Sequence, residues 1–521
     1  MFYSILFPSR ELYDVPKRVA EPESFHDLFL DQVFAPIIKT KPYLDLGDLY
    51  FHKPRQIEVS EFRQRVALEL DGDAELVTRL AAFSDEVLDC AIKMEDIQKL
   101  LTSEHKNEEK WKGGYLTRGE LLNAAEKYVG VVESLAAYVE PKSFESLGLS
   151  EFREYLLTFS ASTGFREFAD RVRRIREGLT EVRYNMRIRN TTLRVRKFEG
   201  EIDRGTEILD LFRKFEQGGE KQYQITVSQG NLEPHVENEV LEMVARIYRD
   251  LFLDLDNFCA EYLHFVDETL RRFSREVQFY VLWNDFLAPM REAGLKFCYP
   301  TLVNGNEQIY VKAGFDVALG MRLRNAGIVT NDFELNAPER IIVVTGPNQG
   351  GKTTFATSFG QANYIASLGL AIPGESAQLR EFDEIYSHFG KPEDDDMQNG
   401  QLRDDIVRLH HIMTNATSNS IIIVNEIYAS TTLADALPLA IKMMDAIAEL
   451  GCPAVVVTYL DELATHGAET VSMVFTVDEN EPERRTFKIE RGAPHGIAFA
   501  MQIAGRHNLT YEQFSRRLQA K

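Results

Sequence analysis

The eight residues Gly346–Thr353, GPNQGGKT, restrict what this chain can fold into more than any other stretch. They satisfy G-x-x-x-x-G-K-[ST] at every fixed position. The preceding RIIVVTG has the unbroken apolar run of a strand buried on both faces, and the following KTTFATSFGQANYIASLG has helical spacing. This strand–turn–helix context gives the motif its physical meaning. Glycines let backbone N–H groups turn inward around phosphate oxygens, and the helix N-terminus adds partial positive charge. Lys352 brings a full charge to the outer phosphates, and Thr353 offers a hydroxyl to Mg²⁺. The expected ligands are ATP and Mg²⁺, with the nucleotide held by Gly346, Pro347, Asn348, Gln349, Gly350, Gly351, Lys352, Thr353 and Thr354.

A second buried strand, SIIIVNEI, ends in Asn425 and Glu426. Glu426 stands one residue past the strand end, where a general base can orient water against a γ-phosphate. Glu426 and Lys352 are therefore the expected catalytic residues. Asn425 occupies the usual aspartate position beside the metal. Its amide oxygen can accept a hydrogen bond from metal-bound water but brings no negative charge. The metal residues are thus expected to be Thr353 and Asn425, with a weaker hold on Mg²⁺ and slow hydrolysis. Taken alone, such a strand also reads as an ordinary buried strand with a polar end.

Three regions follow from the patterning: a mostly helical stretch over 1–230, a helical run over 231–300, and an α/β region over 301–521. In the last, AVVVTY, VSMVFTVD and RTFKIER are further strand candidates. From His235 to Ala288 there is neither glycine nor proline, and apolar residues recur every three to five positions. One helix of roughly 80 Å, at about 1.5 Å per residue, fits this run. A pair of helices with a polar junction near LDLDN fits equally. Within the first region, EVRYNMRIRNTTLRVRKFE alternates apolar residues with arginines around a turn at RNTT. It reads as a β-hairpin with one apolar and one basic face. Arg187, Arg189, Arg194 and Arg196 line the basic face, which suits either phosphate contacts or pairing with nearby glutamates.

The net charge of −22 makes the chain as a whole a poor sink for nucleic acid, so any DNA surface must be local. No run of eighteen apolar residues is present, and the N-terminus lacks the basic and apolar regions of a signal peptide. The four cysteines are far apart. A reducing, cytoplasmic setting without a membrane is expected. The acid run after Pro392 reads as a solvated loop, and His410 and His411 as ordinary helix residues rather than metal ligands.

From Ile342 to about Glu462 the chain resembles the ATPase of the MutS DNA mismatch-repair family. TGPNQGGKTT is similar to that family's TGPNMGGKST, TNATSNSIIIVNEI to HNATPxSLVLLDEI, ASTTLADAL, with Asp435, to RGTSTYDGL, and VVVTYLDEL to FATHYxEL. The resemblance implies an α/β fold: a C-terminal ABC-type P-loop ATPase with a mixed sheet, preceded by a mostly helical core and long lever helices with a small β-hairpin. GIVTNDFEL resembles the segment where the family places an aromatic on adenine, and Ile328 stands at that position. Tyr459 stands where the family has its switch histidine. NGQLRDD stands at the signature segment that meets a partner's nucleotide, so Asn399 and Gly400 would contact a γ-phosphate across a homodimer, partly opposed by Asp404 and Asp405. Nothing before Phe25 matches the family's mismatch-reading wedge domain, and nothing after the ATPase matches the nuclease-like domain of one branch.

The function implied by the resemblance is a DNA-binding ATPase of DNA repair or recombination that gates a dimeric clamp, on branched or distorted DNA rather than simple mismatches. The acidic charge keeps a second reading open: a nucleotide-gated scaffold that binds another protein and little DNA.

Overall fold

A computed structural model describes residues 2–13, 19–102, 114–189, 192–200, 234–305, 307–324, 327–390, 401–426, 428, 431–477, 485–494, 510, 511, 513 and 515. By contact the chain divides into two compact units. One comprises Thr78–Ser143 and Ser150–Arg275 with the first two residues; the other comprises Tyr3–Val77, Phe144–Leu149 and Glu276–Lys521. Packing therefore divides the chain differently from a linear cut at 230 and 300, and the N-terminal stretch joins the C-terminal half.

In the second unit a six-stranded sheet runs Ile385–Phe389, Ile421–Asn425, Ala454–Val457, Ile341–Thr345, Thr470–Val477, Arg485–Arg491. The first five strands are parallel neighbours and the last is antiparallel, so the sheet is mixed and the class α/β. The apolar runs IIVV, IIIV and AVVV are buried on both faces. A four-stranded sheet of Thr301–Val303, Ser376–Arg380, Ile309–Gly314 and Asn331–Leu335 stands beside it in sequence. Its strands are short and half polar, and no apolar run announces them.

The helix Lys352–Ser367 has twelve of its sixteen residues buried. The N-terminal stretch helps to cover it. The Tyr364 hydroxyl donates to the Tyr50 carbonyl at 3.0 Å, Gln361 Nε2 to the Leu28 carbonyl at 2.9 Å, and the Ser60 hydroxyl to the Ser367 carbonyl at 2.6 Å. The Phe25 ring meets Tyr364 edge-on at 4.8 Å. These buried bonds explain why residues 3–77 belong with the ATPase-like half: without them, buried carbonyls would lose their partners.

The first unit is helical, with the expected hairpin as Tyr184–Arg189 and Thr192–Lys197. Met186 faces Val195 and Arg187 faces Arg194 across the ladder. Leu193 and Val195 pack on an apolar cluster that includes Val240 and Val244. Tyr184 and Met186, at the same face, remain about 40% exposed (39% and 41%).

The glycine-free run is neither one long helix nor a pair broken at LDLDN. It forms three helices, Pro234–Ile247, Arg249–Glu261 and Glu268–Glu292, and LDLDN lies inside the second. Two local interactions explain the breaks. At the first, Tyr248 leaves helical geometry (φ −109°, ψ 50°), and its hydroxyl donates to the Arg183 carbonyl at 2.6 Å, planting the hairpin. Before the third helix, Asp267 Oδ1 accepts from the Thr269 and Leu270 N–H groups at 3.0 and 2.9 Å. That is an N-terminal cap, and it starts a new helix.

Gly369 ends the central helix at φ +78°, and a Cβ there would lie 2.6 Å from the Ser60 carbonyl oxygen. Left-handed strain of about 1–2 kcal/mol and overpacking of about 1–3 kcal/mol add. Gly369→Ala is expected to destabilise the protein by about 2–5 kcal/mol, read from the urea midpoint; an unchanged midpoint would refute this account of the junction.

Candidate functional site

The strand Ile341–Thr345 delivers the chain into the turn Gly346–Gly351 and then into the helix that starts at Lys352. Gly346 (φ +128°) and Gly351 (φ +106°) occupy conformations that side chains resist. Phe475 closes in on both. A Cβ on Gly346 would stand 3.1 Å from its amide nitrogen, and one on Gly351 3.2 Å from its ring. Gln349, at φ +59°, adopts the left-handed turn without being glycine. Such strain gathers where a loop is shaped for a ligand.

Lys352 is 5% exposed. Its ammonium donates to the carbonyls of Gly346 (3.1 Å) and Pro347 (3.4 Å) and to Asn348 Oδ1 (3.2 Å). Glu426 Oε1 lies 3.8 Å away. Burial pushes the lysine below its ordinary pKa, the Glu426 charge opposes that, and Arg485 adds to it. The amine is thus a desolvated cation held mainly by neutral oxygens, an arrangement that favours an incoming anion.

The Thr353 hydroxyl donates to Asn425 Oδ1 at 3.2 Å. The two residues expected at a metal therefore meet directly. Both present hard oxygen donors of the kind Mg²⁺ takes, but neither carries charge. Glu426, at φ +55°, is tied by its N–H to the Val457 carbonyl at 2.9 Å, and its carboxylate is half exposed.

Lys352, Thr353 and Glu426 line a cavity of about 430 Å³ whose apolar lining includes Ile328, Leu323 and Phe487; Asn425 is not part of its lining. Ile328 is among the residues that line it. Phe487 was missed. Its backbone is left-handed (φ +56°), so its ring leaves the regular alternation of the strand, which no sequence pattern signals. Asn331 holds that strand in place: its Nδ2 donates to the Phe487 carbonyl at 3.0 Å and its Oδ1 accepts from the Ile489 N–H at 3.0 Å. Asp316, also missed, is buried at the cavity wall, where it caps the helix Val317–Leu323 and accepts from the Thr357 hydroxyl at 2.5 Å. Burial pushes its carboxyl above the ordinary range, against those hydrogen bonds.

Other expectations fall out differently. Asn399, Gly400 and the acid run lie outside the described residues. Asp405 is buried against His388, Oδ1 to Nε2 at 3.0 Å. Asp435 exchanges hydrogen bonds with Thr432 at the start of the helix Leu433–Leu450. The Tyr459 hydroxyl donates to the Tyr428 carbonyl at 3.3 Å. Arg187, Arg194 and Arg196 are exposed on the hairpin of the other unit; the side chain of Arg189 lies outside the described residues. Among the described residues, no helix is long and apolar enough to cross a membrane.

Comparison with known proteins agrees with this geometry. Residues 342–506 match the family model for MutS domain V. The Endonuclease MutS2 of Lactococcus lactis subsp. lactis is 29% identical over 188 residues, covering 35% of this chain and 24% of that protein. The Endonuclease MutS2 of Thermus thermophilus is 29% identical over 193 residues, 36% of this chain and 25% of that protein. The DNA mismatch repair protein MutS of Caldicellulosiruptor saccharolyticus is 30% identical over 213 residues, 38% and 24% respectively. The chain thus matches about a quarter of the length of these curated relatives. Residues 342–506, which carry the P-loop, are thus similar to MutS domain V and to the corresponding part of these proteins.

Proposed function

We propose that this protein is a Mg²⁺-dependent ATPase of DNA repair or recombination, in which ATP binding and hydrolysis gate a dimeric clamp on branched or distorted DNA. The observation that carries the reading is the meeting of Lys352, Thr353 and Glu426 in one cavity with apolar lining, with Asn425 hydrogen-bonded to Thr353 behind it. The phosphates lie in the turn Gly346–Thr354, where Lys352 exchanges its carbonyl partners for phosphate oxygens. The base packs between Ile328 and Phe487. Mg²⁺ is held by Thr353 Oγ1 and, through its amide oxygen, Asn425; the ion supplies charge to offset that of the β- and γ-phosphates. Glu426 orients a water and takes its proton as the water oxygen bonds to the γ-phosphorus and the bond to the ADP oxygen breaks.

A second copy of the chain completes the site. Asn399 and Gly400 of the signature segment then serve the other copy's γ-phosphate from the start of the helix Gln401–Asn415. On that helix Ile406 and Val407 are 43% and 58% exposed, apolar surface suited to cover by a second chain.

The DNA reading rests on how the basic residues are paired. Arg171 binds Asp254 at 2.9 Å, Arg176 binds Glu126 at 2.7 Å, and Arg173 pairs with Glu133. Arg187, Arg194 and Arg196 have no ion partner among the described residues. Like charges held opposite each other at Arg187 and Arg194 repel unless an anion sits over them.

Two measurements test this. Glu426→Gln is expected to abolish Mg²⁺-dependent phosphate release while ATP binding persists, and Asn425→Asp to tighten Mg²⁺ binding about tenfold, the effect of about 1.4 kcal/mol from one added charge. A wild type that turns over no faster than Glu426→Gln leaves a nucleotide switch without hydrolysis. The second is anisotropy with homoduplex, mismatched and branched DNA across a salt series. Changing Arg187, Arg194 and Arg196 together to Glu should weaken binding at least tenfold and reduce the salt slope by about three, at about 0.9 per phosphate contact. Absence of wild-type binding at low salt would favour the protein-scaffold reading, which the −22 charge suits.

A further inference from the structure

The face of the hairpin that carries the arginines also carries an aromatic ring. Arg187 stands opposite Arg194, and Asn185 opposite Arg196. The ladder continues one step past Tyr184 and Lys197, because the Phe198 N–H donates to the Arg183 carbonyl at 3.2 Å. Side chains alternate along each strand, so Arg183 and Phe198 fall on the side of Arg194 and Arg196. Lys197 falls on the other side, where its ammonium lies 5.7 Å from the centre of the Tyr248 ring. That side also holds Leu193 and Val195, which pack on the apolar cluster. One side of the ribbon thus serves the core. The other turns Arg183, Arg187, Arg194, Arg196 and Phe198 to solvent.

Phe198 is 38% exposed. Among the described residues its ring meets no other aromatic ring and no cation, and none of the four arginines has an ion partner. A phenyl ring is stabilised by leaving water, and guanidinium groups held side by side by an anion between them. A partner that meets both needs alternates negative charge with flat apolar faces. Unpaired DNA has that chemistry: phosphates along its backbone, and bases free to stack on an aromatic ring. The bases of an intact duplex are already stacked, so it offers this face its phosphates alone. The surface is also fixed in advance. The Arg183 carbonyl accepts a second bond, from the Tyr248 hydroxyl at 2.6 Å, which ties the open end of the hairpin to the junction of the helices Pro234–Ile247 and Arg249–Glu261. A surface ordered beforehand loses less freedom on binding.

We propose that this face of the hairpin binds unpaired DNA, with a base stacked on Phe198 and the phosphates beside it held by Arg183 and Arg196. This rests on the DNA reading above and names what is recognised in branched or distorted DNA: its unstacked bases.

The experiment measures anisotropy of full-length protein with labelled oligo(dT), a blunt homoduplex, and the same duplex with splayed oligo(dT) arms, for wild type, Phe198→Ala, Phe198→Leu, Phe198→Tyr and Arg183→Gln. Thermal melts identify any variant that fails to fold; Phe198→Leu and Phe198→Tyr carry the comparison if the alanine variant does. Wild type should prefer both unpaired ligands to the homoduplex by about tenfold, the scale of one stacked base. Phe198→Ala should remove that preference and leave homoduplex binding within about twofold. Phe198→Tyr should keep it, and Phe198→Leu, apolar but without a π-face, should lose it as alanine does. Arg183→Gln should lower the salt slope on oligo(dT) by about 0.7, one phosphate contact, while Phe198→Ala leaves the slope unchanged. Oligo(dT) binding by Phe198→Ala within twofold of wild type overturns the inference alone. So does a leucine variant that binds oligo(dT) like wild type, or a wild type that binds the homoduplex as tightly as oligo(dT). Poly-glutamate that displaces oligo(dT) as well as unlabelled oligo(dT) does, at equal charge, overturns it in favour of an acidic protein. A wild type that binds no DNA at low salt overturns both this inference and the DNA reading.

Discussion

A helix with no face left to water must be covered on every side, and the helix Lys352–Ser367 sets that condition for its whole unit. The sheet covers part of it, with Ile423 reaching to Gly360, where a Cβ would stand 2.8 Å from the Ile423 side chain. Residues 3–77 cover another part, because Gln361, Tyr364 and the Ser367 carbonyl demand polar partners that the sheet does not provide. The first residue of the same helix is a buried lysine. Its ammonium, its helix N-terminus and the strained turn before it all favour one kind of ligand, an anion with several oxygens. The centre of the fold and the head of the site are therefore one element.

The parts legible in sequence are those in which a local rule decides the outcome. The runs IIVV, IIIV and AVVV became strands because their continuity leaves no other burial. The hairpin formed because its period of two separates arginines from apolar residues. The P-loop was readable because glycine spacing and lysine position are the chemistry itself. The rest depended on particular contacts between residues far apart. Ile385–Phe389 carries a serine and a histidine that make sense only once Asp27 accepts from Ser387 and Asp405 from His388. Phe487 enters the cavity through a left-handed backbone held by Asn331, more than 150 residues earlier.

The helical run after His235 teaches a narrower lesson. Its apolar spacing was real in part: Val240, Leu255, Phe258, Leu270, Phe273 and Val277 are buried, while Met243, Ile247, Leu251 and Tyr262 are half-buried. Spacing says which face is buried but not where a helix stops. The stop signals were chemical: a tyrosine whose hydroxyl is needed by the hairpin, and an aspartate placed to cap the next turn. The VDET sequence offered that cap, while no pattern reveals the need of a distant carbonyl for Tyr248.

Charge gives the last step, because net charge and local charge separate here by the same pairing logic. Salt screens exposed charges beyond about 8 Å at physiological ionic strength, so a surface acts through its own residues more than through the chain's total of −22. Along the helix Thr163–Thr180, acidic side chains neutralise Arg171, Arg173 and Arg176. On the hairpin, Arg187, Arg194 and Arg196 have no ion partner among the described residues. The helix arginines therefore serve the fold. On the hairpin the strand register sets Arg187 against Arg194, which places two like charges side by side.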